Sequence, residues 1–349
     1  MTMTSNPVLV ETWRGDAVES FHRGAVAVVD ADGGLLASLG DIDRPVFPRS
    51  AVKALQALPL VASGAADALG LSDEALAMAC ASHGGEPAHT QRVAATLAAA
   101  GLDATALECG AHWPSHEASM RAMVREGASI SALHNNCSGK HAGFLCLGCI
   151  LDEEKDARRF GRGYIDPGHP TMRVVTAALQ ATTGFDPAIA PRGIDGCSIP
   201  TYGIPLRRLA LAFARFGGEV GLSPEHARAA RRLRQAVARA PFFVAGTGRF
   251  DTRVMELLGE RVFCKVGAEG MYCAAFPDRG LGVALKIDDG GYSRAADVAM
   301  AALIETGVAL DDDESQFIRR LSSAALSNWN GLAIGRVEAT QALRRLSLR

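Results

Sequence analysis

The sequence predicts an α+β fold: an antiparallel sheet formed from both chain ends, with a helical region between them. Three observations predict it. Short apolar runs punctuated by Gly and Asp lie toward both ends of the chain. The middle carries apolar residues at helical spacing. Strictly alternating βα units are absent, which argues against a doubly wound sheet or a TIM barrel.

Composition sets the class. The 349 residues include 36 Lys plus Arg and 38 Asp plus Glu, for a formal net charge of −2. With 48% hydrophobic and 21% charged residues, the chain is globular and too apolar for disorder. The balanced charge gives no electrostatic reason to bind nucleic acid. A chain this long can bury about 75% of its unfolded surface, so its core needs no disulfide. It reads as one domain, 1–349, with a helical subregion of about 50–240 inserted between sheet segments. Eight cysteines are scattered through the chain and do not form a dense framework, as expected in a reducing compartment. The start, MTMTSNPVLVETWRGDAVES, lacks a signal-peptide pattern. The longest apolar run, Ala142 to Leu151, is about half a membrane span. A soluble cytoplasmic protein without membrane partners is the expectation.

Residues 24–40 read as two strands around the Asp32-Gly33 turn. Residues 50–63 carry a helical pattern interrupted by Pro59. A helix is expected at 72–79, then a turn at 82–85, then a helix over 87–100 with Pro87 at its start. The stretch 135–151 begins as a polar turn and becomes a buried helix. Residues 223–240 form an Arg-rich helix that reads as a solvated face or an interface rim. Three strands are expected between Arg261 and Asp288, and a final helix after Ser293. The run Asp311-Asp312-Asp313-Glu314 reads as a helix start, where negative charge is favourable.

Four constellations carry chemistry. Arg49-Ser50-Ala51-Val52-Lys53 contains S-x-x-K, which puts a hydroxyl and an amine one helical turn apart. A deprotonated lysine there can activate the serine, and helix N-terminal amides can hold an oxyanion. The same pattern fits an ordinary helix start with a solvated lysine. Ser82, before His83-Gly84-Gly85, sits either in a tight exposing turn or in a helix-capping one. Lys265 alternates with apolar residues in a strand, so it faces water or has a partner. A K-x-G strand downstream of S-x-x-K resembles serine β-lactamases and penicillin-binding proteins. Finally, Cys137 and His141 at i, i+4, with Asp195 and Cys197 from a distant loop, are zinc-ligand types. They equally fit buried cysteines with a capping Asp. Cys146-x-x-Cys149 lies in an apolar run and reads as core, and the scattered histidines form no H-E-x-x-H.

Taken together, Pro48-Arg49-Ser50-x-x-Lys53, Ala81-Ser82-His83-Gly84-Gly85, His134-Asn135-Asn136-Cys137-Ser138-Gly139-Lys140-His141, Tyr164…Asp166-Pro167…His169-Pro170, Asp195-Gly196-Cys197 and Lys265-Val266-Gly267-Ala268-Glu269-Gly270 resemble the Rhizobium-type L-asparaginases, the asparaginase II family. The resemblance runs from about residue 8 to 330. It implies hydrolysis of L-asparagine to L-aspartate and ammonia on a fold similar to serine β-lactamases and glutaminases. It implies two Ser-Lys pairs, Ser50 with Lys53 and Ser82 with Lys265, and a Zn2+ site at Cys137, Lys140 and Cys197. Arg49, His141, Asp195 and Glu269 are the implied substrate-binding residues, and a homodimer is the implied assembly. A β-lactam-recognising or peptidase-like Ser-Lys hydrolase, and a non-catalytic binding protein of the same fold, are the alternatives. All four Ser and Lys positions are filled, which weighs against the non-catalytic one.

Overall fold

A computed structural model describes residues 5–290, 293–346 and 348, so residues 1–4 of the N-terminal stretch read above lie outside it. The chain forms two compact units. One holds Met1–Ala51, Gly203–Val220 and Arg261–Arg349; the other holds Val52–Tyr202 and Gly221–Glu260.

The first unit is built on an antiparallel sheet of eight strands drawn from both chain ends, as expected. Its order is Ser323–Ser327, Ala333–Ala339, Val8–Arg14, Ala17–Asp30, Leu281–Ile287, Met271–Phe276 and Phe263–Val266, with Leu35–Leu39 also on Ala17–Asp30. The strand Ala17–Asp30 is the hub. Residues 17–23 pair with Val8–Arg14, and residues 24–30 pair with Leu281–Ile287. The changeover needs a glycine, because a Cβ on Gly24 would lie 2.3 Å from the Lys286 carbonyl oxygen. Every residue of Met271–Phe276 is buried, as in a strand covered on both faces.

The helix Leu206–Gly218 belongs to this sheet unit, although it falls inside the 50–240 stretch read as helical. Its apolar stripe decides the matter, since Phe213 and Phe216 pack with Phe263 of the sheet. After the expected helix Ser293–Gly307 come three elements: the Asp312–Ser322 helix, whose acidic start was read, and two that the sequence reading did not place, the Ser323–Ser327/Ala333–Ala339 hairpin and a short helix Gln341–Arg344. Asp311 caps the first of them in a reciprocal box with Glu314.

The second unit is helical. Pro59 does not interrupt the helix Lys53–Ala62, which is buried from Lys53 through Leu60, so packing offsets the missing hydrogen bond. Ser138–Leu151 is apolar on all sides and buried through Gly148. A Cβ on Gly139 would meet the Met78 carbonyl oxygen at 2.3 Å, so here the helix touches the backbone of Asp73–Ala79. The Arg-rich helix Pro224–Arg239 buries Ala229, Ala230, Leu233, Ala236 and Val237. Its Arg232 and Arg239 pair with Asp67 and Asp73 of the same unit. No described helix is long and apolar enough to cross a membrane.

Candidate active site

Lys53 opens the helix Lys53–Ala62 and is fully buried. A buried ammonium must find an acceptor for each N–H. Its Nζ meets the Ala81 carbonyl at 2.5 Å, Ser82 Oγ at 2.8 Å and, at longer reach, the Asn136 carbonyl at 3.5 Å. The S-x-x-K lysine therefore turns to Ser82. Ser50 sits one step earlier, in the short 3-10 turn Arg49–Val52, and the boundary between the units falls at Ala51–Val52.

Ser82 is held from two sides. Its N–H donates to the Val244 carbonyl at 2.8 Å, and the His83 N–H donates to the Asn136 carbonyl at 3.3 Å. The Ser138 hydroxyl donates to the Leu133 carbonyl, which leaves its oxygen to accept from His83 Nε2 at 2.9 Å. His83 Nδ1 accepts from the Gly85 N–H. The His83 ring stacks on His89 at 4.9 Å, and His89 stacks on Phe242 at 4.6 Å. Glu86 accepts from the N–H and hydroxyl of Thr247 at 2.8 and 2.6 Å, securing the segment that follows Val244. Burial pushes the His83 pKa well below the usual imidazole value, helped by the charges of His89 and Lys53. Burial also lowers that of His89.

The cysteine cluster lies in the same unit. Asn135 Oδ1 accepts from the Cys137 N–H, and Asn135 Nδ2 donates to the Cys109 carbonyl, fixing the polar turn that opens Ser138–Leu151. The Asp195-Gly196-Cys197 loop closes the hairpin Arg192–Ile194/Pro200–Tyr202 through the Asp195 N–H to the Ile199 carbonyl. It places Cys197 Sγ 3.0 Å from Lys140 Nζ, with both side chains buried. A hydrogen bond from Cys197 draws the Cys137 thiol well below its ordinary range, and the Lys53 and Lys140 charges add to that; the Cys197 thiol is pushed up in turn. Burial opposes the charge on Lys140, but Cys137, Cys197 and Asp195 outweigh it and keep its pKa above the ordinary value.

Two thiols and an amine in one buried cluster fit a soft divalent cation such as zinc. Among the described residues no three His, Cys, Asp or Glu side chains stand together as a metal site. A three-donor site built on Cys137 and Cys197 would therefore include Lys140. His141 turns to Tyr164 instead, with Nδ1 2.6 Å from the phenol oxygen. Burial lowers its pKa well below the usual value, and the charges of Lys140 and Lys53 act in the same direction.

The sheet unit holds the remaining predicted residues. Lys265 is fully buried in Phe263–Val266, and its Nζ donates to the Val266 carbonyl at 2.9 Å. The end of that strand lies against the Ser50 turn, since a Cβ on Gly267 would stand 2.7 Å from the Pro48 carbonyl oxygen and 3.3 Å from Ala51 Cβ. Arg49 and Glu269 both have left-handed backbones, with φ of 51° and 58°. Such strain in residues other than glycine gathers at functional sites.

Sequence reasoning named Tyr164 as a motif residue but missed its contact with His141, and it missed the acceptors of Lys53, the histidine stack and the Glu86–Thr247 contact. Only the Ser-His-Gly-Gly turn signalled any of them. Cys146 and Cys149, read as core, bond to the Thr96 and Leu145 carbonyls.

The sequence matches the family model for L-asparaginase II over residues 10–339. The chain belongs to the asparaginase II family. That membership makes it a hydrolase and implies a small-molecule amide as substrate. No curated protein matches the sequence. Among solved structures it is similar to a β-lactamase from Mycobacterium bovis, at 15% identity and a TM-score of 0.39, over 81% of this chain and 94% of that one. A likeness at that level carries no weight for fold or function.

The buried histidines set a pH dependence. An unfolded histidine takes up its proton near 6.5, whereas folded His83, His89 and His141 stay neutral to lower pH. Stability is then complete above pH 6.5 and falls as pH drops below it, by up to about 1.4 kcal/mol per pH unit for each ring. Urea unfolding at steps between pH 7.5 and 5 measures this slope; a flat profile would show that the rings are not held neutral.

Proposed function

We propose that the protein hydrolyses L-asparagine to L-aspartate and ammonia through a serine acyl-enzyme. Family membership supports the substrate class. The observation that supports Ser-Lys proton transfer, with either serine as nucleophile, is the fully buried Lys53 with its Nζ 2.8 Å from Ser82 Oγ. That contact makes a proton-transfer pair in a site screened from water.

In this reading Ser50 attacks the side-chain carboxamide carbon. Lys53, one turn away in sequence, takes the serine proton once it is itself deprotonated. The helix that Lys53 opens has no side-chain cap, and its positive dipole end favours the oxyanion of the tetrahedral intermediate. Collapse expels ammonia, with Lys53 and Ser82 returning the proton to nitrogen. Water then cleaves the ester. The family resemblance assigns Lys265 to the second Ser-Lys pair, and its strand end adjoins the Ser50 turn. Arg49, His141, Asp195 and Glu269 hold the substrate. A second reading is favoured by the Lys53–Ser82 contact itself: Ser82 is the serine that a neutral Lys53 would activate.

Ammonia release from asparagine, glutamine and a chromogenic β-lactam, assayed side by side, tests the substrate. Asparagine should be turned over fastest; turnover of the β-lactam alone would overturn the reading. Ser50→Ala should lose on the order of 10⁴ in turnover. Mass spectrometry of a trapped acyl-enzyme then locates the ester. An adduct on Ser82, with Ser50→Ala still active, reverses the assignment.

Cys137, Lys140 and Cys197 would hold Zn2+, Lys140 after losing its proton. Bound there, the metal supplies a Lewis-acid anchor for the substrate's α-amino and α-carboxylate groups. Elemental analysis should find one zinc per chain in the wild type and none in Cys137→Ala/Cys197→Ala. A full equivalent in the double variant would sink the site.

We also propose a homodimer, on family grounds. Light scattering at micromolar concentration should give twice the chain mass of 36.6 kDa, and a monomer would refute it.

A further inference from the structure

His141 carries the clearest unexplained feature of the helical unit. The side chain is fully buried, and its Nε2 has no hydrogen-bond partner among the described residues. A buried polar atom without a partner is costly, so its acceptor or donor is expected to come from outside the chain.

Tyr164 decides which of the two it is. The ring is 1% exposed, and its oxygen accepts the Glu108 N–H at 2.9 Å while standing 2.6 Å from His141 Nδ1. Glu108 locks this arrangement from its other end, because its carboxylate accepts the Gly163 N–H at 2.8 Å. If the Tyr164 hydroxyl donates to Nδ1, every group in the relay is satisfied and Nε2 carries the hydrogen. If Nδ1 carried the hydrogen instead, the phenol oxygen would accept twice. Its own hydrogen would then find no acceptor among its recorded partners, and Nε2 would be left as a second orphan. The first arrangement leaves one unsatisfied atom and the second leaves two.

We propose that Tyr164 is a positioning residue that fixes His141 as the Nε2–H tautomer, so that His141 presents a single donor to a carboxylate oxygen of the bound amino acid. A donor to a carboxylate makes a charge-assisted hydrogen bond, which is shorter and stronger than one to a neutral oxygen. The tautomer also makes His141 a donor to ligand and not a metal ligand, since a metal needs the lone pair that the hydrogen occupies. The ligand part rests on the asparaginase reading, and the tautomer part does not.

Histidine-selective 15N labelling of the full chain tests both. With nine histidines, the His141 signals can be assigned by their loss in His141→Gln. The wild type should show a protonated Nε2 and an unprotonated Nδ1 at His141, and the Nε2–H proton should shift on addition of L-aspartate. Tyr164→Phe should lose the single tautomer, raise KM for asparagine about tenfold and leave kcat within about twofold, as removal of a ground-state contact predicts. A hydrogen on Nδ1 in the wild type overturns the proposal without recourse to any variant. An unchanged tautomer in folded Tyr164→Phe overturns the relay. An Nε2–H unmoved by L-aspartate in an enzyme that turns over asparagine overturns the donor role. If the relay signals are as expected but asparagine gives no ammonia, the relay stands and the substrate reading falls.

Discussion

A lysine ammonium with no exposure to water organises the helical unit. Removing such a charge from water costs several kcal/mol unless its hydrogens are met. The acceptors of Lys53 come from two turns, at Ala81–Ser82 and at Asn136, far from it along the chain. Meeting them draws both turns onto one helix start. The first turn brings Ser82 and His83. The second opens the helix that carries Lys140 and His141. Ser82, His83, Lys140 and His141 are thus brought into one unit, where burial holds the imidazoles neutral to lower pH and the Cys137–Cys197 contact drives the two thiols apart in acidity.

How much could be read beforehand depended on distance along the chain. Local signals were legible. Pro87 begins its helix, Asp311 and Glu314 form their box, and the Asp32-Gly33 turn joins two strands, because each depends on a few adjacent residues. The sheet from both ends was legible from its apolar runs. The Lys53–Ser82 contact spans 29 positions, and the two turns that make it leave no mark in the residues between. The His83–His89 stack and the Tyr164–His141 contact were hidden for the same reason. A histidine inside a polar-looking segment does not announce that its neighbour in space is another ring. The Ser323–Ser327/Ala333–Ala339 hairpin was also missed. Its strands, SAALS and AIGRVEA, are small and half-polar, so they lack the β-branched density of the Gly24–Asp30 run.

The sheet unit shows a different economy. Arg49 and Glu269 hold left-handed backbones, a cost of about 1–3 kcal/mol each. Both border close backbone approaches: Gly267 lies against Pro48, and Gly270 lies against Ile287. The strain is carried where the chain is pinned by neighbouring backbone, so it cannot relax by a local rearrangement. The turn bearing Ser50 is therefore set by the sheet, and the helix that follows is set by its own packing.

The hub strand has a consequence for the order in which the protein can be made. Asp30 pairs with Leu281, and Val10 pairs with Ala339. A growing chain therefore exposes the run Gly-Ala-Val-Ala-Val-Val for the time needed to add about 250 residues, with only the short Leu35–Leu39 strand available as an early neighbour. Most of the helical unit, by contrast, is contiguous in sequence and can consolidate while synthesis continues. A chain that ends before residue 281 lacks the Leu281–Ile287 partner and leaves that edge of the uncharged run 24–29 unpaired. That is the geometry from which edge-to-edge aggregation starts. Completing the Leu281–Ile287 strand thus closes an edge that otherwise stays open to pairing with another chain.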